Sequence, residues 1–175
     1  MKSQDKNSGY GQNGRAFALL FFLVFLIYSN TFQASWHLDD YHNILENPRL
    51  KIENLQPQSL FQTLFASFDR GNYSKNELYR PVPCLTFALN WYFGQNDPFG
   101  YHLVNNAIHF VTAFVLFLTI LTLFESPNLR GKYRGSEYFI ALLAAVLWAI
   151  NPIQTQAVTY IVQRMASMAT MFYIT

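Results

Sequence analysis

Long apolar blocks alternate with polar stretches along this chain, and the blocks predict helices that cross a membrane. The first, at about 16–32, carries no charged residue and reaches the lower limit of length for a spanning helix. Uncharged blocks at 102–124 and 138–153 predict two further spans, and a fourth block runs from 165 to 175. The pattern predicts an all-α integral membrane protein built as a bundle of transmembrane helices.

The polar stretches between these blocks have different characters. Residues 1–14 are rich in Gly, Ser, Asn and Gln without apolar periodicity, which predicts a disordered tail. Residues 33–100 contain more Asp and Glu than Lys and Arg, and we interpret them as a large loop. Within this loop two segments predict short amphipathic helices, one behind Pro57 with apolar residues at helical spacing and one at 81–93. The apolar positions of the first are Leu60, Phe61, Leu64, Phe65 and Phe68.

A cleaved signal peptide is the alternative interpretation of the first block. A basic start, an apolar stretch and Ala34 fit that pattern, but the residue three positions before a cut after Ala34 is Phe32, which is not small. We therefore favour a membrane anchor. No cap, charge or turn closes the last apolar block before Thr175, so we expect the chain to be the N-terminal part of a longer protein.

Positive charge predicts how the helices thread the membrane. Lys2, Lys6 and Arg15 precede the first block, and a short basic loop at 130–134 follows the second. Because Lys and Arg are enriched in cytoplasmic loops, both segments are expected in the cytoplasm. The acidic loop at 33–100 and the connector after the third block then face outward together.

Composition supports a membrane protein and excludes one class. Only 13% of residues are charged, against about 25% in soluble domains. The net charge of +2 is too small, and its Lys and Arg too dispersed, for a nucleic-acid interface. The single cysteine, Cys84, allows no internal disulfide.

The acidic pair Asp39-Asp40, just after the first block, is the strongest candidate for chemistry. Adjacent carboxylates at a membrane boundary repel each other and need a cation, a metal or a reacting hydroxyl nearby. One functional interpretation is a general base, with the second carboxylate orienting it or holding a metal together with a His. The alternative is a solvated turn or helix cap.

Polar residues on one face of the second block form another candidate. His102, Asn105, Asn106 and His109 recur at helical spacing and should face the bundle or a water-filled cavity. They serve either a site or hydrogen bonding between helices.

A proline break and two arginines complete the candidates. Asn151-Pro152 breaks the third block, and Gln154 and Arg164 follow it. A proline-broken helix is tolerated where it lines a cavity. Arg164 is a candidate for binding an anionic phosphate, with an interface anchor as the alternative. Arg80, before the rigid helix start Pro81, is a weak signal by itself.

Taken in order, these motifs resemble one family. It is the multispanning GT-C glycosyltransferases with C-terminal tetratricopeptide repeats, related to the cadherin-directed O-mannosyltransferases and the protein O-mannosyltransferases. The resemblance runs from about Trp36 to the end of the chain. It is carried by Asp39-Asp40, Tyr79-Arg80-Pro81-Val82, Gly100-Tyr101-His102-Leu103-Val104-Asn105 with His109, and the stretch from Asn151 to Arg164.

The resemblance implies an enzyme in which 15–175 form the N-terminal part of a GT-C-like membrane domain. Its members transfer a sugar, with mannose as the candidate here, from a polyprenyl-phosphate donor to a protein hydroxyl. Transfer occurs with inversion on the periplasmic or lumenal face of the bacterial inner membrane or the endoplasmic reticulum. Asp39 and Asp40 would be catalytic, with Asp39 favoured as the base. The residues implied at the lipid phosphate or the donor are Arg80, Arg164, His102, Asn105 and Gln154.

The resemblance leaves several points open. Where many members have His before the proline of the last motif, this chain has Asn151, which puts a metal or proton role there in doubt. The sequence requires no metal, and a divalent ion stays an open alternative. A transporter and a non-catalytic anchor for the repeats are the rival functions. We expect residues 1–175 alone to be inactive, because GT-C sites are assembled from more helices.

Overall fold

Eight α-helices make up most of the described chain. The computed structural model describes the backbone of residues 4–66 and 80–175, and their side chains from residue 11 onward. The helices are α1 Gln4–Ile27, α2 Leu38–Asp40, α3 Pro57–Thr63, α4 Pro81–Gly94, α5 Pro98–Phe124, α6 Glu137–Ala149, α7 Gln154–Thr159 and α8 Arg164–Ile174. Short 3-10 turns at Ser29–Gln33, Pro48–Leu50 and Ile161–Gln163 and a π-helical turn at Tyr41–Leu45 join them. No strand occurs within 4–66 and 80–175, so the predicted all-α class is confirmed.

Some helix ends match the predicted spans within a residue, and others differ by a turn or more. Helix α1 begins at Gln4, inside the stretch for which the sequence predicts disorder, because extending a formed helix costs far less than starting one. It ends at Ile27 rather than at residue 32. Helix α5 starts one turn earlier than predicted, where the Asp97 carboxylate accepts the Phe99 N–H at 3.0 Å. Helix α6 ends at Ala149 because Pro152 cannot continue it.

Helix α5 is the centre of the bundle. It packs against α1, α6 and α8, and its Ala113 and Phe117 are fully buried. Helix α6 approaches closely because buried alanines recur every fourth residue on one face, at Ala141, Ala145 and Ala149. From α1 the same core receives Ala16, Leu20 and Val24, and Tyr28 joins them directly after that helix.

A second core organises the loop at 33–100. Ile44, Leu50, Phe87 and Ile161 are among its buried side chains, with Tyr101 of α5 beneath them. Both predicted amphipathic helices form, as α3 and α4, although α3 stops at Thr63. Phe68, the last apolar position predicted for the first of them, lies outside the described residues. This loop is therefore a packed layer over one end of the bundle.

The outward faces of the long helices are apolar. Phe22, Leu26 and Phe139 are each more than three-fifths exposed, as expected for surfaces that face lipid. Among the described residues one helix, Pro98–Phe124, is long and apolar enough to cross a membrane. Its 27 residues extend about 40 Å. The apolar helices Gly11–Ile27 and Glu137–Ala149 are shorter, so the multi-span arrangement stays a prediction.

The carbonyl end of α6 is capped by side chains of two other helices. The Ala149 carbonyl accepts hydrogen bonds from the Tyr28 hydroxyl at 3.0 Å and from His109 Nε2 at 2.9 Å. A carbonyl only accepts, so His109 carries its proton on Nε2. The His109 ring also stacks on Trp148 at 4.9 Å. These bonds satisfy a group that the proline break leaves without a helical partner.

We predict that Tyr28→Phe lowers the free energy of unfolding by about 1 kcal/mol, because it removes one buried hydrogen bond while His109 still donates to the same carbonyl. Reversible unfolding in detergent micelles measures this change. Tyr173→Phe is the matched control, since Tyr173 is 93% exposed. Equal stability of Tyr28→Phe and the native chain would contradict the capping role.

Candidate functional site

Three segments that are distant in sequence meet at the N-terminal end of α5. His102 of α5 donates from Nε2 to the Ala34 carbonyl at 3.1 Å. Asn105, one turn further along, donates from Nδ2 to carbonyls near the end of α7 and in the connector between α7 and α8, at 3.3–3.4 Å. The connector in turn reaches the acidic pair, since the Val162 N–H donates to Asp40 at 2.8 Å. The structure thus brings most of the predicted site residues to one end of the bundle.

Asp40 is an internal anchor. Its side chain is fully buried, and its two oxygens accept separate backbone hydrogen bonds, from His37 N–H at 3.0 Å and from Val162 N–H at 2.8 Å. Burial raises the pKa of the Asp40 carboxyl above its usual value, and these two hydrogen bonds oppose the rise. Asp40 therefore ties the loop after α1 to the connector before α8.

Asp39 has the opposite environment. Its side chain is exposed, and its carboxylate makes no hydrogen bond or ion pair within the described parts of the chain. Its backbone is fixed on both sides, because Asp39 N–H donates to the Tyr160 hydroxyl at 3.1 Å and the Asp39 carbonyl accepts from Asn43 Nδ2 at 2.7 Å. The result is a solvent-facing carboxylate on an immobilised backbone.

Arg164 is buried completely and bonded to protein groups only. Its guanidinium donates from Nε to Asn105 Oδ1 at 2.7 Å, and from Nη2 to the Tyr101 carbonyl at 2.8 Å. Nη1 donates to Asn90 Oδ1 at 2.7 Å and to Thr86 Oγ1 at 3.2 Å. Its donors are thus directed at α4 and α5. The predicted role at a lipid phosphate stays a prediction, to which this arrangement adds no support.

Arg80 lies at the start of α4 and is more accessible than Arg164. It is half-buried, and Nη1 contacts Met165 Sδ at 3.2 Å. A thioether is a weak acceptor, so within the described residues most of the hydrogen-bonding capacity of Arg80 is unused. Across residues 4–66 and 80–175 no carboxylate pairs with it. Arg80 therefore contacts the first turn of α8, which directly follows the connector that reaches Asp40.

The polar face of α5 is used mainly for contacts within the protein. Asn106 donates from Nδ2 to Thr31 Oγ1 at 2.9 Å. His102 Nδ1 and Asn106 Oδ1 are buried without a hydrogen-bond partner in the described chain. The hydrogen bonds of this face support a role in joining helices, and its two unpartnered atoms leave a role in a site open. The roles of His102 and Asn105 in binding the sugar donor stay predictions.

Gln154 lies apart from the acidic pair. With His109, Thr112, Ser167 and Thr170 it lines a cavity of about 90 Å³ between α5, α6, α7 and α8. The Asn151-Pro152 break produces this arrangement, because Asn151 accepts the Ile153 N–H and starts a new turn. This geometry does not test the predicted role of Gln154 in binding the sugar donor.

Three residues that form hydrogen bonds in this site were not predicted from the sequence. Thr86 and Asn90 are four residues apart in the apolar helix α4, a spacing that marks a polar stripe. Tyr160 orients the Asp39 backbone, and only its place within the last motif gives a signal. Within the described residues no group of three or more His, Cys, Asp or Glu side chains is arranged to hold a metal ion.

Comparison with curated proteins identifies relatives of one kind. The chain is 30% identical over 93% of its length to protein O-mannosyl-transferase TMTC3 from Mus musculus. It is 33% identical over 81% of its length to protein O-mannosyl-transferase Tmtc1 from Drosophila melanogaster, and 30% identical over 98% to protein O-mannosyl-transferase TMTC1 from Homo sapiens. No protein-family model matches the chain. No solved structure matches it significantly.

These relatives confirm the family resemblance that the sequence motifs indicate. The chain is a homologue of proteins named protein O-mannosyl-transferase over nearly its whole length. It spans 16%, 15% and 18% of the lengths of the three relatives above.

The two aspartates should respond differently to the same substitution. We predict that Asp40→Asn lowers the free energy of unfolding by about 1–3 kcal/mol, because an amide NH₂ would face one of two buried backbone N–H donors. Asp39→Asn should leave stability within about 0.5 kcal/mol, as expected for an exposed site. Unfolding of both variants in the same detergent provides the comparison. Equal effects would mean that Asp40 is not an anchor.

Proposed function

We propose that the chain forms part of a membrane glycosyltransferase that moves a sugar from a polyprenyl-phosphate donor to a protein hydroxyl. Mannose is the candidate sugar, because the relatives are named protein O-mannosyl-transferases. The acceptor class follows from the same names. The apolar outer faces of the helices support the lipid donor, because a site at the ends of lipid-facing helices would lie close to membrane-borne substrates.

Our proposal includes a multi-pass arrangement in which α1, α5 and α6 cross the membrane and α8 begins a fourth crossing. The basic loop at 130–134 and the start of α1 meet at one end, where the Tyr138 hydroxyl donates to the Gln12 carbonyl at 2.8 Å. Positive charge at that end favours the cytoplasm. The acidic pair lies at the other end of α5, so it would face the periplasm or the lumen.

Asp39 acts as the general base in this proposal. It takes the proton from the acceptor hydroxyl while that oxygen forms a bond to the anomeric carbon of the sugar. The bond from this carbon to the phosphate oxygen breaks, and the polyprenyl phosphate leaves with its electron pair. A single displacement of this kind inverts the anomeric centre. The observation that carries the assignment is the contrast within the pair: Asp39 is exposed and Asp40 is buried.

Arg80 binds the phosphate of the donor in this mechanism, and Arg164 positions the site. Arg80 has donors available on a half-buried side chain, as a group needs in order to stabilise charge on a leaving phosphate. Arg164 instead holds α4 and α5 to the connector through its four hydrogen bonds. Asn105 supports the same connection by donating to the Ile161 carbonyl, and His102 joins α5 to the segment after α1 by donating to the Ala34 carbonyl.

We predict that Asp39→Asn lowers the rate of sugar transfer by about a hundredfold or more, because general base catalysis contributes about 10²–10⁴. The assay measures transfer from a polyprenyl-phosphate sugar to acceptor protein by the complete protein in membranes. Glu53→Gln, which removes another exposed carboxylate of the same loop, should retain full activity. Full transfer by Asp39→Asn, at native abundance, would refute the catalytic assignment.

Two substitutions of Arg80 distinguish the contribution of its charge to phosphate binding from that of its planar geometry. Arg80→Gln should reduce transfer by about a hundredfold, comparable to removing one donor that stabilises developing negative charge. Arg80→Lys keeps the charge and should recover part of that loss. Titrating the polyprenyl-phosphate donor shows whether KM for the donor or kcat changes. If Arg80→Gln and the native protein transfer sugar equally well, Arg80 does not contact the phosphate.

A further inference from the structure

A cavity of about 640 Å³ lies at the end of the bundle opposite the acidic pair. It is formed where the start of α1 meets the loop between α5 and α6. Gly131 and Gly135 allow this loop to turn back, since both have φ above +80°, a conformation that favours glycine. The volume is in the range of sites that hold a small ligand.

The charges around this cavity are balanced but do not pair with one another. Arg130, Arg134, Glu125 and Glu137 all line it. In the described chain no ion pair joins either arginine to either glutamate. The Glu137 carboxylate accepts a hydrogen bond from the Gly135 N–H at 2.7 Å. The Glu125 side chain is exposed to solvent. A ligand that carries both a negative and a positive group would complement such a lining better than a simple anion.

The wall is apolar on the side of α5 and α6, while Gln12 and Asn13 line it on the side of α1. Leu121 and Phe124, at the end of the long apolar helix α5, line the cavity together with the Tyr138 ring. A ligand seated here would have its charged part at the loop and its apolar part beside the helices. That is the arrangement of a phospholipid at a membrane boundary.

We propose that this cavity binds the head group of a phospholipid with a phosphate and a primary ammonium, as in phosphatidylethanolamine. Arg130 and Arg134 donate to the phosphate oxygens, because guanidinium groups match phosphate geometry. Glu125 accepts hydrogen bonds from the ammonium. The inference relies on the membrane placement in the proposed function, but not on the catalytic residues.

Lipid selectivity tests this site directly. The complete protein, purified in detergent, is titrated with phosphatidylethanolamine, phosphatidylcholine or phosphatidylglycerol, and bound lipid is measured by native mass spectrometry. We expect phosphatidylethanolamine to bind about tenfold more tightly than the others, because only it offers both a phosphate and N–H donors to the carboxylate. Tighter binding of phosphatidylcholine or phosphatidylglycerol would overturn the proposal, as would displacement of the lipid by equimolar inorganic phosphate.

Matched variants distinguish a built site from general surface charge. Arg130→Gln and Arg134→Gln should each weaken phosphatidylethanolamine binding about tenfold. Lys132→Gln removes the same charge from the same loop, but Lys132 is not among the cavity-lining residues and its loss should have no effect. Glu125→Gln should abolish the preference over phosphatidylglycerol. Equal weakening by Lys132→Gln would overturn the proposal.

The Asp39→Asn variant allows the head-group site and the enzyme activity to be tested separately. Asp39→Asn should bind phosphatidylethanolamine as the native protein does, because it changes the opposite end of the bundle. Loss of transfer in Asp39→Asn with lipid binding retained supports both proposals independently. Native lipid selectivity without any sugar transfer by the native protein would refute the enzyme while supporting the head-group site.

Discussion

The buried guanidinium of Arg164 is the interaction on which this end of the molecule depends. A charged group removed from water is costly unless hydrogen bonds compensate it, and Arg164 has no carboxylate partner among the described residues. Neutral oxygens compensate it instead, at 2.7–3.2 Å. Its carbon centre also lies 4.4 Å from the Phe87 ring centroid and 5.8 Å from that of Tyr101, where ring faces favour a cation. Three helices, α4, α5 and α8, are thereby held to one point.

The acidic pair gains its asymmetry from this connection. Since Arg164 directly follows the Ile161–Gln163 turn, fixing it fixes the Val162 N–H that donates to Asp40. Asp40 then holds the His37 backbone, and Asp39 remains outside with its carboxylate in solvent. Two identical, adjacent side chains therefore have different tasks, one in stability and, in our proposal, the other in proton transfer.

The sequence predicts the elements well, because apolar periodicity records which faces are buried. The amphipathic helices around Leu60 and after Pro81 form, and the polar stripe from His102 to His109 faces the interior. The burial of Asp40 rather than Asp39 was not predictable from the residues themselves, since it depends on a partner 122 positions away. The sequence suggested an anion-binding role for Arg164 because its hydrogen-bond partners are also distant in sequence. Its partners on α4 are 74 and 78 positions distant, and nothing local to Arg164 reveals them.

Membrane sidedness tests the account most directly, because a lipid-borne donor on the outer face requires the acidic pair to be there. Single cysteines at Tyr41, 49% exposed beside Asp40, and at Lys132 in the basic loop can be introduced into a Cys84→Ala background. The measurement is their labelling by a membrane-impermeant maleimide in sealed membranes. We expect Tyr41→Cys to react from the periplasmic or lumenal side and Lys132→Cys only from the cytosol. Labelling of Tyr41→Cys from the cytosol alone would contradict it.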